Sequence, residues 1–285
     1  MKLTHTATKE SKLLHVLRTE LQLSSSLVKR LKWQDAFLVN GKPVHTDYRL
    51  LPGDTITVLL DEETPEYPAE QAPLNILYED DALIAIDKPA GLLMHPSFYR
   101  NSGTLANFLS GYYLASGQAC AVHPVSRLDR DTFGVVLFAK NAHIHAQMMQ
   151  ALKSRAMHKT YHALVFGSPP AEGIWTFPIA RKEGESLLRE VREDGQAAQT
   201  RFCTLEEANG AAKLELHPIT GRTHQLRVHC AYAGFPILGD RQYGTDASLA
   251  YKEYPHQQLC AVAVSFLHPI TKEAMNIHSR QGVYL

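Results

Sequence analysis

Cysteines are few in this sequence, and long apolar runs do not occur. Four cysteines lie far apart and form no CxxC pair: Cys120, Cys203, Cys230 and Cys260. Neither a zinc ribbon nor a dense disulfide framework is therefore indicated, and we expect reduced, buried thiols. Because the N-terminus is polar and no run of about 18 apolar residues exists, the sequence predicts a cytoplasmic protein without a membrane span.

Motifs that bind nucleotide cofactors or metals are also missing. No GxxxxGKS/T phosphate loop occurs, and no glycine-rich dinucleotide fingerprint follows a predicted strand. His143 and His145 stand two positions apart on a predicted helix and point to different faces, unlike the pair of a zinc-binding helix. We expect both histidines at the surface. The sequence predicts neither a cofactor nor a metal.

The size and charge of the chain predict a soluble globular protein of two domains. It has 285 residues, of which 45% are hydrophobic and 20% charged, and its formal net charge is zero. Residues 1–60 carry nine Lys or Arg residues against five Asp or Glu, whereas residues 61–70 carry five acidic residues and no basic one. This distribution predicts a basic module over 1–60, an acidic, proline-containing linker over 61–73 and a larger domain over 74–285.

The basic module has a recognisable order of predicted elements. Leucines at helical spacing (Leu13, Leu14, Leu17 and Leu21) precede a second helix that Ser24 or Ser25 would cap. A hairpin around Asn40-Gly41 and a strand over 55–59 follow. The second helix turns Lys29, Arg30 and Lys32 away from its apolar stripe. This order resembles the S4 RNA-binding domain, whose basic helix would contact the phosphate backbone; a merely solvated helix face is the alternative.

Residues 124–140 combine alternating charges with a buried strand. Arg127, Asp129 and Asp131 precede a Thr-x-Gly turn and an apolar, β-branched run. A carboxylate at the end of a buried strand is held in position and stays reachable by a substrate. A surface ion pair is the alternative interpretation.

Two further stretches carry candidate functional residues. Residues 159–167 read as a strand that contains Tyr161, a residue type more often found in cores and interfaces. Residues 214–240 are rich in donors. There, Arg222, His224 and Gln225 could contact phosphate, hydroxyl or base edges, and Arg227 could meet a buried carboxylate. Structural hydrogen bonding within a sheet is the alternative for Arg222 and His224.

Four stretches together resemble the RluA-type pseudouridine synthases, and the resemblance covers nearly the whole chain. They are Lys-Pro-Ala-Gly-Leu…His-Pro at 88–96, Arg-Leu-Asp-Arg-Asp-Thr-x-Gly at 127–134, Lys-Thr-Tyr at 159–161, and Thr-Gly-Arg-Thr-His-Gln-Leu-Arg-Val-His at 220–229 with Pro-Ile-Leu-Gly-Asp following. Two positions depart from the family pattern, which has His at position 126 and Ser at position 133. Phe133 should need an apolar niche that a serine would not.

The resemblance implies a fold and an activity. The fold is mixed α+β, a largely antiparallel central sheet with flanking helices and an RNA-binding cleft, preceded by the small S4-like α+β domain. The activity is isomerisation of specific uridines in structured RNA to pseudouridine, with ribosomal RNA favoured over transfer RNA. No cofactor takes part, RNA is the expected partner, and a monomer is the expected state.

Roles for individual residues follow from the same resemblance. Asp129 is the catalytic carboxylate, which attacks the sugar or removes a proton from it, and Arg227 forms its ion pair. Tyr161 lies against the uracil ring. Arg127 fills the stack that the flipped nucleotide leaves, and Arg222 and His224 contact RNA. Two other functions remain open: a catalytically idle S4-type RNA-binding protein, and a hydrolase that combines Asp129 with His123, His217 or His224.

Overall fold

The computed structural model describes residues 1–97, 101–185, 188–249, 251 and 254–285. The first 60 residues contain, in chain order, β1 (Lys2–Thr6), β2 (Ser11–Lys12), α1 (Leu13–Thr19), α2 (Ser25–Leu31), β3 (Phe37–Val39), β4 (Lys42–Pro43), β5 (Arg49–Leu50) and β6 (Thr55–Leu59). Strands β1, β6, β3 and β4 form one sheet in that order, and β2 pairs with β5. The two helices pack their apolar faces onto this unit's own core.

The predicted helices and hairpin of this N-terminal unit are confirmed. Ser24 caps α2, because its Oγ accepts a hydrogen bond from the Leu27 N–H at 3.1 Å. Asn40 and Gly41 both adopt positive φ, as a two-residue hairpin turn requires. Leu14 was expected in the apolar stripe, but its side chain is 44% exposed. The division into an S4-like domain and a linker remains a prediction.

The rest of the chain forms a large mixed sheet with helices. Its elements are β7 (Ile76–Glu79), β8 (Leu83–Lys88), α3 (Leu105–Ala115), β9 (His123–Pro124), β10 (Phe133–Ala139), α4 (Ala142–Lys153), β11 (His158–Phe166), β12 (Glu172–Trp175), β13 (Ile179–Arg181), β14 (Arg189–Val191), β15 (Thr200–Ala208), β16 (Ala211–Pro218), α5 (Gln225–Tyr232), α6 (Asp246–Leu249), β17 (Leu259–Leu267) and β18 (Ala274–His278).

The strand order is β12-β15-β16-β11-β17-β10-β8-β7, with β18 beside β17 and β9 beside β10. Strand β10 runs parallel to β17, and the other pairings within the described residues are antiparallel. The predicted α+β fold with a largely antiparallel sheet is therefore confirmed. No helix in the described ranges is long and apolar enough to cross a membrane.

Strand β10 shows how the sheet is covered on both faces. Val136 and Phe138 share a core with α3 and α5, whereas Val135 and Leu137 share another with α4. Since alternate strand residues point to opposite faces, α4 lies on the face away from α3 and α5. Phe133, at the start of β10, has the apolar niche expected for it, in a cluster with Leu164, Leu238 and Val283 among others.

Two expectations about polarity were wrong. His143 is buried, with 8% of its surface exposed, because α4 packs against the N-terminal unit and places this histidine beside the Leu21 backbone. The four cysteines are free, but only Cys230 and Cys260 are buried; Cys120 and Cys203 are partly exposed.

Residues 61–75 contain no helix or strand but are bound along their length. The Glu63 carboxylate accepts hydrogen bonds from the Ala142 N–H at 2.9 Å and contacts His123 at 2.6 Å. The Glu70 carboxylate accepts the Gly103 N–H at 3.0 Å. A side-chain carbon at Gly111 of α3 would stand 2.1 Å from the Glu70 carbonyl oxygen, so glycine is needed for this close approach.

Candidate active site

Asp129 lies in the loop between β9 and β10, at the end of a fully buried strand, as the sequence predicted. Its Oδ2 atom accepts a hydrogen bond from Nη1 of Arg227 at 3.1 Å. The Asp129 side chain is 29% exposed, whereas that of Arg227 is 6% exposed. The structure thus brings together two residues that are 98 positions apart in the chain.

The element that carries Arg227 is a helix. Arg227 belongs to α5, which packs on one face of the sheet. Gln225, expected among the RNA-contacting donors, is buried at the start of this helix. Its amide bonds internally to Thr200 and Thr220, at 3.0 and 2.7 Å, so it secures the helix start.

Arg227 has a second carboxylate partner that sequence reasoning missed. Its Nε and Nη2 atoms donate to both oxygens of Asp240 at 2.7 and 2.8 Å, and Nη2 also donates to Gln242 at 2.7 Å. Asp240 is 1% exposed, so this fork-shaped pair is buried and holds the guanidinium in one orientation. The sequence signal for Asp240 was the stretch Pro-Ile-Leu-Gly-Asp, in which Asp240 directly follows Gly239. In the structure, this glycine lies close to the His256 backbone.

His224 faces the other oxygen of Asp129. Its Nε2 atom is 3.9 Å from Oδ1, and its Nδ1 atom is 2.7 Å from the Tyr243 hydroxyl. His224 also has φ of 57°, an uncommon left-handed conformation for a residue other than glycine, and such strain clusters at functional sites. Burial lowers the pKa of His224, and the charge of Asp129 opposes that shift.

Tyr161 lies in β11 beside an irregularity in its pairing with β17. It is 7% exposed and shares one core cluster with Leu128 and Leu226, the chain neighbours of Asp129 and Arg227. Burial, and then the charge of Asp129, raise the pKa of its hydroxyl. Tyr161 is therefore a neutral, flat ring close to the carboxylate.

Lys88 anchors the loop that contains Asp129. This fully buried side chain donates from Nζ to the carbonyl oxygens of Pro89, Leu92 and Arg130, at 3.0, 2.8 and 2.8 Å. Burial lowers the pKa of Lys88 to about 7, and the charges of Asp131 and Asp129 oppose this shift. The three bonds tie the 88–96 stretch to the stretch that contains Asp129, a role that sequence reasoning did not assign.

The arginines and lysines predicted to contact RNA lie at the surface. Arg127 is exposed in the same loop as Asp129, and Arg222 is exposed while its Nε atom donates to the Ala197 carbonyl at 3.1 Å. In the N-terminal unit, Arg30 pairs with Asp61 at 2.9 Å, and the Lys32 ammonium lies 5.7 Å from the ring centre of Trp33. Trp33 is 81% exposed and was not singled out from the sequence.

The hydrolase alternative has little support in this geometry. His123 pairs with Glu63 at 2.6 Å, and His217 pairs with Glu215 at 2.9 Å. Of the three candidate histidines, His224 alone lies beside Asp129 within the described part of the chain.

A carboxylate held by a buried arginine, beside a buried tyrosine on a mixed sheet, matches the site expected of an enzyme that isomerises uridine in RNA. Comparison with known proteins agrees. Residues 82–232 match the family model described as RNA pseudouridylate synthase. The uncharacterized RNA pseudouridine synthase YjbO of Bacillus subtilis is 36% identical over 264 residues, which cover 91% of this chain and 92% of that protein.

Two further relatives extend the comparison. Ribosomal large subunit pseudouridine synthase D of Xanthomonas campestris is 37% identical over 263 residues, 87% of this chain and 78% of that protein. The solved structure of human RNA pseudouridylate synthase domain containing 1 has the same fold, with a TM-score of 0.60 and 22% identity over 76% of this chain and 93% of that one.

The chain belongs to the RNA pseudouridylate synthase family and is of the RluA type. It is an isomerase that converts uridine in RNA to pseudouridine. Family membership supports this activity over an idle RNA-binding protein.

Proposed function

We propose that this enzyme modifies uridine in ribosomal RNA and that Asp129 is its catalytic carboxylate. The observation that carries the catalytic role is the contact of Asp129 with Arg227, whose orientation is fixed by the buried Asp240. The names of the relatives, ribosomal large subunit pseudouridine synthases in several bacteria, support the choice of RNA. A ribosomal RNA target would put the activity in the cytoplasm. A monomer is the proposed active unit.

The chemistry assigns a task to each side chain. The N1–C1′ bond breaks, the uracil turns, C5 bonds to C1′, the proton of C5 is lost and N1 gains one, so no atom or electron is exchanged overall. Asp129 attacks the sugar or removes a proton from it, and either task needs the ionised form. The fixed charge of Arg227 favours that form in a partly buried site. The flat face of Tyr161 holds the free base between cleavage and rejoining.

Access to the uridine requires the nucleotide to leave its stack, which costs a few kcal/mol. We propose that the exposed Arg127 fills the vacated position and that Arg222 and His224 contact the strand. The N-terminal unit would act as an S4-like RNA-binding domain, with Lys29, Arg30 and Lys32 toward the phosphate backbone.

Replacing Asp129 tests the catalytic proposal directly. We expect Asp129→Asn to lower kcat by roughly four powers of ten or more, because asparagine has nearly the same shape but is neither a nucleophile nor a base. RNA affinity should change little. Pseudouridine would be mapped chemically in ribosomal RNA fragments, and in ribosomal RNA from cells with and without the protein.

Asp131→Asn is the matched control, since Asp131 lies two positions away and pairs with Arg130 at 2.9 Å. It should keep most of its turnover. Near wild-type turnover of Asp129→Asn would remove Asp129 from the chemistry, and an absence of enzyme-dependent pseudouridine in ribosomal RNA would refute the proposed target.

A further inference from the structure

An arginine-lined cavity opens beside the candidate site. Strands β13 and β14 form a hairpin, and together with the loop before α5 this hairpin encloses a cavity of about 390 Å³. We call it the arginine pocket. Its polar and charged lining residues are Arg181, Arg189, Arg222, Asp194, Gln196 and Thr223.

The charge of the arginine pocket favours an anion. Of the described residues that line it, three are arginines and one, Asp194, carries a carboxylate, both oxygens of which already accept hydrogen bonds from Arg192. Among the described residues, no carboxylate lies within ion-pair distance of Arg181 or Arg222. Guanidinium groups match the geometry of phosphate, to which they donate two parallel hydrogen bonds.

The pocket is rigidly built. Ile179 and Gln196 exchange two backbone hydrogen bonds of 2.9 Å. The segment after β14 therefore pairs with the start of β13 in the manner of a third strand. Gly195 permits this, because a side-chain carbon there would stand 2.7 Å from the Ile179 backbone. Ile179 and Ala198 pack against Val228 of α5, so the hairpin is fixed to the helix that carries Arg227. Little ordering of the protein would therefore be needed on binding.

The pocket is linked to the catalytic residues through one hydroxyl group. The backbone N–H of Arg189 donates to the Tyr243 hydroxyl at 2.9 Å, and the same hydroxyl contacts Nδ1 of His224 at 2.7 Å. His224 faces Asp129, as described above, and follows the lining residue Thr223 directly in the chain. An RNA strand with its uridine at Asp129 would thus pass close to the pocket.

We propose that the arginine pocket binds a phosphodiester group of the substrate RNA, next to the flipped uridine. The inference rests on the proposed function, in which the uridine is attacked at Asp129. A contact to the backbone adds affinity and fixes the register of the strand without reading its sequence. It also explains how a chain of zero formal net charge holds RNA near its site, because the positive charge is local.

The test uses Arg181→Ala and Arg189→Ala in the full-length enzyme with a ribosomal RNA fragment that the wild type modifies. Each variant should raise the Kd for RNA by roughly ten-fold. Each should also flatten the dependence of log Kd on log salt concentration by about one unit per lost phosphate contact. Arg181→Lys and Arg189→Lys should recover part of the affinity, because lysine restores the positive charge but not the two parallel hydrogen bonds of a guanidinium group.

The matched control is Lys153→Ala, which also removes one positive charge. Lys153 is exposed in the last turn of α4, on the opposite face of the sheet, and its replacement should leave both Kd and salt slope unchanged. The proposal would be overturned if the slope of log Kd against log salt concentration were the same for Arg181→Ala and Arg189→Ala as for the wild type and Lys153→Ala.

Inorganic phosphate, titrated by calorimetry at constant ionic strength, separates the two sources of a phosphate group. If inorganic phosphate binds in an arginine-dependent way while RNA affinity is the same in all variants, the pocket takes a free anion and the RNA proposal is wrong. Failure of the proposed function is seen separately, because Asp129→Asn reports on turnover whereas the arginine variants report on RNA affinity.

Discussion

At the scale of single residues, Arg227 is the centre of the site because it serves two acids that differ in burial. Asp240 is almost fully buried and accepts hydrogen bonds from Nε and Nη2 of Arg227, whereas Asp129 accepts one from Nη1. Removing a buried partner leaves an uncompensated charge, which is costly, so the Arg227–Asp240 pair keeps its geometry. Asp129 therefore has Oδ2 held in advance of substrate, while Oδ1 is 3.9 Å from His224.

His143 gives a prediction about acid stability. Burial, and secondarily the charge of Lys272, lower its pKa to about 4, and a hydrogen bond with the Leu21 backbone opposes the shift. The unfolded chain binds a proton at about pH 6.5, so below that pH it takes up a proton that the folded protein excludes. Between about pH 6.5 and 4 the free energy of unfolding should fall by about 1.4 kcal/mol per pH unit from this residue, about 3 kcal/mol in all.

His143→Gln should remove that contribution, because glutamine does not titrate. Urea unfolding across this pH range should therefore show a flatter profile for His143→Gln than for the wild type. His15→Gln, a change at an exposed histidine of α1, is the control and should keep the wild-type profile. Parallel profiles for His143→Gln and the wild type would contradict the prediction.

At the scale of elements, turns and helix caps could be predicted from the sequence because they depend on residues that are close together in the chain. Asn40-Gly41 specifies its hairpin because both residues tolerate positive φ, and Thr104 caps α3 locally by bonding to Asn107. By contrast, β1 contains one inward apolar residue, Leu3, and is a strand because it pairs with β6, whose partner residues lie 49 to 57 positions later. A pairing so distant in the chain leaves no local pattern.

Helix α5 escaped prediction for a related reason. Its polar sequence has no strong apolar period, and its start is fixed by the Gln225 amide, which bonds to residues of β15 and of the preceding loop. Tertiary contacts of this kind override intrinsic propensity. The candidate residues Asp129 and Arg227 could be chosen from the sequence, but Asp240 and Lys88 required the fold, since a buried charge is identified by its partners.

Helix α3 gives a prediction in which packing opposes propensity. Alanine is favoured over glycine in a helix interior by about 1 kcal/mol, so Gly111→Ala would ordinarily stabilise the protein. Here the new methyl group would stand 2.1 Å from the Glu70 carbonyl oxygen, and the segment 61–75 would have to move. We expect a loss of about 1–3 kcal/mol in the free energy of unfolding, measured by urea denaturation.

Gly221→Ala is the comparison for that change. Apart from its two chain neighbours, no described residue places a heavy atom within 4 Å of a side-chain carbon added at Gly221. Its unfolding free energy should stay near that of the wild type. A Gly111→Ala variant as stable as the wild type would show that the connecting segment adapts without cost.

At the scale of the whole molecule, the N-terminal unit is attached to the catalytic part through several contacts. Met1 packs into the core around α4, and Ile270 packs against the core of the N-terminal unit. Arg30 pairs with Asp61 at 2.9 Å, at the start of the segment that connects the two parts. An RNA that contacts both parts would therefore bind two surfaces held in a fixed arrangement. It would not bind two modules joined by a flexible linker.

Neutralising the basic face of α2 tests whether this unit holds RNA. The triple variant Lys29→Ala, Arg30→Ala and Lys32→Ala should weaken RNA binding and flatten the dependence of log Kd on log salt concentration by about two units. The expected decrease is less than three, because Asp61 already offsets the charge of Arg30. A control triple variant at Lys9, Lys12 and Arg49 removes the same charge from the β2–β5 end of the unit. Equal salt slopes for the two triple variants would show that the α2 face is not an RNA-binding surface, because loss of net charge alone would then account for the effect.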